Sequence, residues 1–423
     1  MSRTLGRLVL LSSVAAVLGA CDGEPSLDAG ALDAGGPGSG SDSGAPDAGA
    51  RDAGAAMLAP RFTEWRGDAL ATFELDDARV DAVGARIDPA GGIASSDATG
   101  AFTYAELVSP VVEVEHPFRE AVPSWNADTP ATTWIEVRMR ARVGGAWTTD
   151  YVLGVWAAGE ERFQRHSVDG QRDAYGTVAT DTLRLDGAAD AFQMRLRLAS
   201  GTAGVTPTLW GLGVSTSDPS AAPPPLAPDA TAYGTPLDVP QRSQLVYPDG
   251  GEVWCSPTST TMVLAYWSQQ AGLPSLTLAV PDVAAGVWDA VYDGAGNWPF
   301  NTAFAAQASG GALRAIVTRL WRIEQLERLT AAGVPVIISI SFRSGELMGG
   351  PIGSTNGHLI VVRGFDSAGD VLVNDPAGPD DGTVRYTYPR AQLDAAWAHS
   401  GRTAYVIHPA DEPLPVEGAL GAW

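Results

Sequence analysis

Alternation of apolar and polar residues dominates the chain from about residue 60 to residue 215 and predicts β-strands. In residues 132–143, Ile135, Val137 and Met139 alternate with charged residues, and this period of two is typical of a half-buried strand. Further segments of strand length, separated by turn residues, lie at 148–157, 181–186, 191–200 and 206–217. Because no helical pattern of comparable strength intervenes, residues 60–215 predict an antiparallel all-β sandwich of the jelly-roll sort.

A different pattern follows the Pro-rich segment 216–235, which predicts a stiff linker. The segment 255–272 has an apolar stripe at helical spacing, with Ser256 as its N-cap and Gly272 after its last residue. Further helices are predicted at 281–293, 301–311 and 322–333, and strands at 334–342, 358–365, 370–375, 383–389 and 403–409. Helices followed by antiparallel strands predict an α+β domain over residues 236–410.

The start of the chain carries the pattern of an export signal. Two arginines are followed by an apolar run too short to cross a bilayer, and then by small residues. The run LGAC at 18–21 resembles the lipobox of bacterial lipoproteins, so we expect cleavage after residues 1–20 and a lipid on Cys21. The alternative is an ordinary secretory signal. Residues 21–59, almost all Gly, Ala, Ser, Asp and Pro, predict a disordered tether, and residues 411–423 a C-terminal tail.

The charge and the scarcity of metal-binding residues exclude several classes of partner. The formal net charge is −22, and it becomes −24 when residues 1–20 are removed with their two arginines. A chain this acidic repels phosphate backbones, so we expect no nucleic-acid partner. Five histidines and two cysteines, without HExxH or CxxC spacing, predict neither a metal site nor a cofactor.

Cys255 is the one remaining cysteine if Cys21 carries a lipid. It is either a buried structural residue or a reactive thiol, and its place directly before a predicted helix favours the reactive one, because a helix start lowers a thiol pKa. A nucleophile needs a base, and His358 is the best candidate, since it follows a Gly-rich loop and begins a strand. The other histidines have less suitable positions: His116, His166, His399 and His408.

Three motifs in order carry a resemblance to a known family. "VPQRSQ…WCSPTSTTMVL", "GHLIVVRGFD" and "VLVNDPA" resemble the papain-like cysteine peptidases of the bacteriocin-processing (double-glycine leader) family and its broader relatives. The resemblance covers about residues 236–409 and implies a papain-like fold. It further implies Cys255 as nucleophile and His358 as general base and acid. Asp375 would orient the histidine, and Gln244 would donate to the oxyanion beside the Cys255 N–H.

The residues themselves also support Asp375. The strands that contain His358 and end near Asp375 are joined by a turn at 366–369, so a hairpin can bring this carboxylate beside the histidine. Asp366 lies at the turn and is better explained by turn chemistry. Asn374 points to the opposite face and is the reserve candidate.

The sequence therefore predicts an exported, lipid-anchored cysteine peptidase of the cell envelope, facing the periplasm or the cell surface. It would hydrolyse peptides or proteins through a thiol acyl-enzyme with a Cys-His-Asp triad. Two alternatives remain open. One is a cysteine amidase or acyltransferase that acts on cell-wall or modified peptides, and the other is a non-catalytic binding lipoprotein with a papain-like scaffold.

Overall fold

The computed structural model describes residues 60–222 and 224–415. The predicted signal peptide 1–20, the lipid-attachment residue Cys21 and the tether 21–59 lie outside the described residues, as do residues 416–423 of the predicted tail. Among the helices of the described residues, none has the length and apolar character needed to cross a membrane.

The first part of the chain is mostly β-sheet, as predicted. Its strands are β1 (Arg61–Arg66), β2 (Glu74–Asp76), β3 (Ala78–Asp81), β4 (Gly84–Ile87), β5 (Ile93–Asp97), β6 (Gly100–Val108), β7 (Val112–Asp128), β8 (Thr133–Val143), β9 (Ala146–Trp147), β10 (Tyr151–Trp156), β11 (Gly176–Ala179), β12 (Thr182–Ser200) and β13 (Thr208–Ser217). All of them pair antiparallel in one hydrogen-bonded network, along the order β10-β8-β12-β7-β13-β4-β3 with the others attached at its sides.

The alternation of β8 is confirmed, because Ile135, Val137 and Met139 are fully buried. The prediction of two strands at 181–186 and 191–200 is wrong, since both belong to β12.

No turn separates the two halves of β12. Register shifts lie between Arg184 and Ala189 and between Ala189 and Ala191, and the strand changes partners along its length: residues 183–192 pair with β7, 189–200 with β8 and 195–200 with β6. A bulge of this kind lets one strand turn a corner of a sheet without ending.

The second part of the chain combines helices with a sheet. The helices are α1 (Cys255–Gln270), α2 (Val280–Val287), α3 (Trp298–Ala308), α4 (Ile323–Ala331) and α5 (Arg390–Ala398). The strands are β14 (Leu313–Arg319), β15 (Val336–Phe342), β16 (Thr355–Phe365), β17 (Val371–Asn374), β18 (Arg385–Tyr388) and β19 (Thr403–Pro409). The sheet is antiparallel, with the order β14-β19-β15-β16-β17-β18.

Two details of this part differ from the prediction. β14 lies between α3 and α4, so the helices do not all precede the sheet. The predicted helix 281–293 ends at Val287, because Asp289 turns the chain. Its Oδ1 accepts the backbone N–H groups of Val291 and Tyr292, an Asx-type turn that competes with helix formation.

α1 is the central helix of this part and is buried on almost every side. Fourteen of its sixteen residues are buried, whereas a surface helix buries only one face. It ends before Gly272, which adopts a φ of +65° and closes the helix as predicted. The helix is therefore held in place from all sides, which fixes the position of its first residue, Cys255.

The two parts of the chain share a hydrophobic core. Phe300 of α3 packs against Trp125 and Trp156 of the first part, with ring centroids 6.1 and 5.4 Å apart. The Asn126 Nδ2 donates to the Ala315 carbonyl at 2.6 Å, and the Ala315 N–H donates to the Asn126 Oδ1 at 3.1 Å. This side-chain amide continues the backbone pairing of β14 into the first part.

Candidate active site

Cys255 is the first residue of α1 and is 1% exposed. The prediction that it precedes an N-cap at Ser256 is wrong by two positions, because Trp254 is the N-cap residue. The Ser256 hydroxyl does not cap the helix; it lies 3.0 Å from the Tyr405 hydroxyl of β19. The Cys255 thiol is therefore at the N-terminal end of α1, where the N–H groups of the first turn and the helix dipole favour a negative charge.

His358 and Asp375 meet at one end of the β16–β17 hairpin. The His358 Nε2 lies 2.7 Å from the Asp375 Oδ1, and both side chains are buried. The hairpin has the expected turn, in which the Gly369 N–H donates to the Asp366 carbonyl. With Nε2 directed at the carboxylate, Nδ1 is the imidazole nitrogen that can exchange a proton with a thiol.

Asp375 has further donors beyond the histidine. Its Oδ1 accepts the Ala377 N–H at 2.9 Å, and its Oδ2 accepts the Tyr388 hydroxyl at 2.7 Å. Burial acts to raise the pKa of Asp375, but the charge and hydrogen bond of His358, together with the Tyr388 and Ala377 donors, outweigh it and hold the pKa below its usual value. Asp375 is therefore a carboxylate, and burial and this carboxylate raise the pKa of Tyr388.

Sequence reasoning did not single out Tyr388. The available signal was its place in the strand that follows Asp375, and this signal is weak. The pairing of β18 with β17 brings the Tyr388 ring to the Asp375 carboxylate. A single sequence does not reveal the register of two strands that are joined by a loop.

α1 packs directly against the strand that carries His358. The Ser259 hydroxyl, one turn along the helix from Cys255, donates to the carbonyl of Leu359 at 3.0 Å. Leu359 follows His358 in β16. The helix start and the histidine therefore lie on neighbouring elements that are joined by a buried hydrogen bond.

Gln244 is buried, with 3% of its surface exposed, and lies in a short 3-10 turn before α1. Its backbone N–H donates to the Pro376 carbonyl at 2.9 Å, next to Asp375. Its Nε2 donates to the Glu252 carbonyl at 2.9 Å, three residues before Cys255. Gln244 thus links the loop after β17 to the start of α1, whereas Gln241 is half-buried.

The alternative residues lie elsewhere. The Asn374 amide donates to the carbonyls of Val239 and Pro240 at 3.1 and 3.2 Å, so it holds the segment that leads to Gln244. Asp366 accepts the backbone N–H groups of its own turn. His408 contacts Arg314 at 3.0 Å, and burial followed by Arg314 and Arg66 lowers its pKa to about 3. The remaining histidines are at other positions: His116 in β7, His166 beside β10 and His399 after α5.

A pocket of about 410 Å³ lies at the end of the second sheet that carries His358. It is lined by Gly357 and Leu359, the two neighbours of His358, and by Ser339, which pairs with Leu359. Its opposite side comes from the first part of the chain, through Asp181 among others.

The pocket lining includes Leu359, whose carbonyl accepts the Ser259 hydroxyl one turn along α1 from Cys255, but it does not include Cys255, His358, Asp375 or Gln244 themselves. Burial raises the pKa of Tyr405 more than the Ser256 hydrogen bond lowers it, and the charges of Asp181, Cys255 and Tyr292 add to the rise. Asp181 and Tyr292 line the pocket, and the Tyr405 hydroxyl contacts Ser256, the neighbour of Cys255. The pocket therefore borders the residues on either side of His358 and the part of β16 that contacts α1.

Two segments of the chain match known families. Residues 61–217 match the family described as "Peptidase C39 N-terminal domain", and residues 236–405 match the "Peptidase_C39 like family". The second segment includes Gln244, Cys255, His358 and Asp375. No curated protein matches the chain at a significant level.

Proposed function

Because the chain belongs to the C39 family of papain-like cysteine peptidases, we propose that it hydrolyses peptide bonds through an acyl-enzyme formed on Cys255. The observation that carries this proposal is the buried His358–Asp375 hydrogen bond, beside the strand to which α1 is joined through Ser259. A papain-like fold would account for this arrangement, because its central buried helix begins at the cysteine and lies against the sheet that carries the histidine.

The proposed reaction begins with proton transfer from the Cys255 thiol to the His358 Nδ1. The thiolate attacks the carbonyl carbon of the scissile peptide, and the Cys255 N–H and the Gln244 amide donate to the oxygen that becomes negative. The imidazolium then gives its proton to the leaving amine as the C–N bond breaks, which leaves a thioester. A water that loses a proton to His358 attacks this thioester and releases the acid and the thiol.

Asp375 would stabilise the imidazolium throughout these steps. Its carboxylate is kept charged by three donors, so it can hold the His358 Nε2–H in one orientation. This role belongs to a positioning residue, since Asp375 acts through the histidine.

We also propose that the protein is exported and anchored to the cell envelope through a lipid on Cys21, with the residue 21–59 tether between the anchor and the folded part. The lipobox-like LGAC at 18–21 supports this proposal. The family matches at 61–217 and 236–405 support domain boundaries near 60–215 and 236–410.

The test uses a Cys21→Ser protein, in which Cys255 is the single thiol. We expect rapid alkylation by iodoacetamide near neutral pH and hydrolysis of members of a peptide library, both lost in the double variant with Cys255→Ala. Rapid alkylation with transfer to amines or amide cleavage, but without peptide hydrolysis, would assign the amidase or acyltransferase alternative. An inert Cys255 would leave a binding protein on a peptidase scaffold.

A further inference from the structure

The pocket beside His358 has walls from both parts of the chain. One wall belongs to the second part and includes Gly357, Leu359 and Trp298. The facing wall comes from residues at least 34 positions before Cys255: Glu120 of β7, Ala179 of β11, Thr180, Asp181, Arg184 of β12, Ser217 of β13, Asp218, Pro219 and Ala221. A pocket of about 410 Å³ is within the range of about 300–1,000 Å³ that ligand sites occupy.

Direct contacts hold the two walls against each other. The Asp181 Oδ2 accepts the N–H of Trp298, the first residue of α3, at 2.8 Å. The Arg319 guanidinium, 7% exposed, pairs with Glu120 at 2.8 Å, and the Arg319 N–H donates to the Ser215 hydroxyl at 2.9 Å. Because these contacts are largely buried, the first part is a fixed side of the pocket.

The lining has little net charge. It contains three arginines and three carboxylates, whereas acids outnumber bases almost two to one in the whole chain. Most of the basic groups are also paired, since Arg319 and Arg184 both approach Glu120 and Arg402 binds Asp394. Hydroxyl and amide groups line part of the remaining surface, beside apolar residues and three large aromatic rings: Thr180, Ser217, Ser339, Ser400, Asn356, Tyr292, Trp298 and Trp321. Such a surface suits a polar, uncharged ligand.

We propose that the first part of the chain is the specificity-determining wall of the substrate cleft, and that the pocket receives an uncharged polar segment of the peptide beside the scissile bond. This proposal rests on the proposed peptidase function for the identity of the ligand. It adds that residues of the N-terminal sheet select the substrate that reaches Cys255.

The test uses Ala179→Trp, which places an indole in the pocket from the first part. Ala179 is half-buried and lines the pocket, whereas Ala94, on β5 of the same sheet, is exposed and absent from the lining. Ala94→Trp is therefore the matched control. Ala221→Trp, with the adjacent exposed Ala222→Trp as its control, provides a second pair outside any strand. Thermal unfolding identifies a variant that fails to fold. If one lining variant fails, the remaining lining variant and its control test the proposal.

The readout is the rate of Cys255 alkylation in the Cys21→Ser protein, so that it does not depend on turnover. Acetyl-Ser-Asn-Ala chloromethyl ketone carries its electrophile at the C-terminus, and iodoacetyl-Ser-Asn-Ala amide carries it at the N-terminus. Together they extend a polar peptide to either side of the thiol. Each rate is divided by the rate with iodoacetamide. Iodoacetamide carries no peptide, so its rate reports the reactivity of the thiol without binding in the pocket.

We expect each lining variant to lower the ratio for at least one peptide probe by about tenfold or more, and each control to leave both ratios unchanged. In the protein with the unchanged pocket, peptide probes with Asp or Lys in place of Asn should alkylate Cys255 more slowly than the Asn probes do. Equal ratios in lining and control variants, or faster labelling by a charged probe, would overturn the proposal. If the labelling ratios follow this expectation but the protein with the unchanged pocket hydrolyses no peptide, the peptidase function is overturned and the pocket wall is not.

Discussion

The Asp375 carboxylate uses both of its oxygens within the buried site: Oδ1 lies 2.7 Å from the His358 Nε2, and Oδ2 accepts the Tyr388 hydroxyl at 2.7 Å. A fully buried carboxylate with donors on both oxygens has one orientation. The histidine that it contacts is therefore fixed in rotation as well as in position, which is what a base that serves two successive proton transfers requires.

Asp375→Asn should lower kcat by about a hundredfold or more, because the amide cannot stabilise the imidazolium that forms in the reaction. Asp366→Asn is the control, since Asp366 serves only its own turn, and its kcat should stay close to the original value. Steady-state kinetics with the best library peptide measures both. Equal losses in the two variants would contradict the assignment.

The same variant should change the response of stability to acid. The pKa of Asp375 is held below its usual value, so its carboxylate stabilises the fold above the unfolded-state pKa of about 4, and this contribution is lost as the pH falls through the folded-state pKa. The difference in unfolding free energy between the original protein and Asp375→Asn should therefore shrink below about pH 4. Denaturant unfolding at several pH values measures it, and a constant difference would argue against a stabilised carboxylate.

Tyr388→Phe should reduce stability by about 1–3 kcal/mol, because the buried Oδ2 of Asp375 loses its donor while the packing of the ring is kept. The pKa of Asp375 should rise toward its usual value, so the acid-unfolding midpoint should move to higher pH. Tyr386→Phe, the stacked neighbour on the same strand, provides the comparison. If both variants shift the midpoint equally, Tyr388 has no special role at the carboxylate.

Gln244→Ala should lower kcat by about a hundred- to a thousandfold with little change in KM, which corresponds to the loss of about 2.7–4 kcal/mol of transition-state stabilisation. Gln241→Ala should stay within several-fold, because Gln241 is half-buried whereas Gln244 contacts the turn just before Cys255. Kinetics on the two single variants decide between them. A larger loss at Gln241 would reverse the assignment of the oxyanion donor.

Cys21→Ala should release the protein from membranes or block its processing, since a lipid attached to a cysteine needs that thiol. Detergent-phase partitioning of the full chain, expressed in a bacterium that processes lipoproteins, measures the effect. The unaltered protein should enter the detergent phase. Recovery of the unaltered protein entirely in the aqueous phase would contradict the lipobox interpretation.

Local sequence signals were sufficient to predict the hairpin of the site. His358 and Asp375 lie on strands joined by a short turn, so alternation and turn chemistry together bring the two side chains to one end. The approach of α1 to β16 could be inferred only through family resemblance, because the two elements are about a hundred residues apart in the chain.

Other features depend on contacts between distant segments. α1 starts two residues earlier than predicted, and the Ser256 hydroxyl contacts Tyr405 instead of capping the helix. The helix predicted at 281–293 is shortened at Asp289, whose Oδ1 also accepts the N–H of Ser167 in the first part. Tertiary contacts of this kind override the local preferences that a single sequence reveals. The pocket wall from the first part was unforeseen for the same reason.

The packing of Phe300 against Trp125 and Trp156, together with the Asn126–Ala315 pair, has consequences for proteolysis and for the evolution of the two parts of the chain. A protease nick between the two parts would leave a noncovalent complex rather than two separate proteins, since their buried rings stay in contact. Neither half can be exchanged for an unrelated module without exposing those rings to water. A gene rearrangement that preserves the protein must therefore transfer both halves together, and substitutions at the shared core must be compatible on both sides.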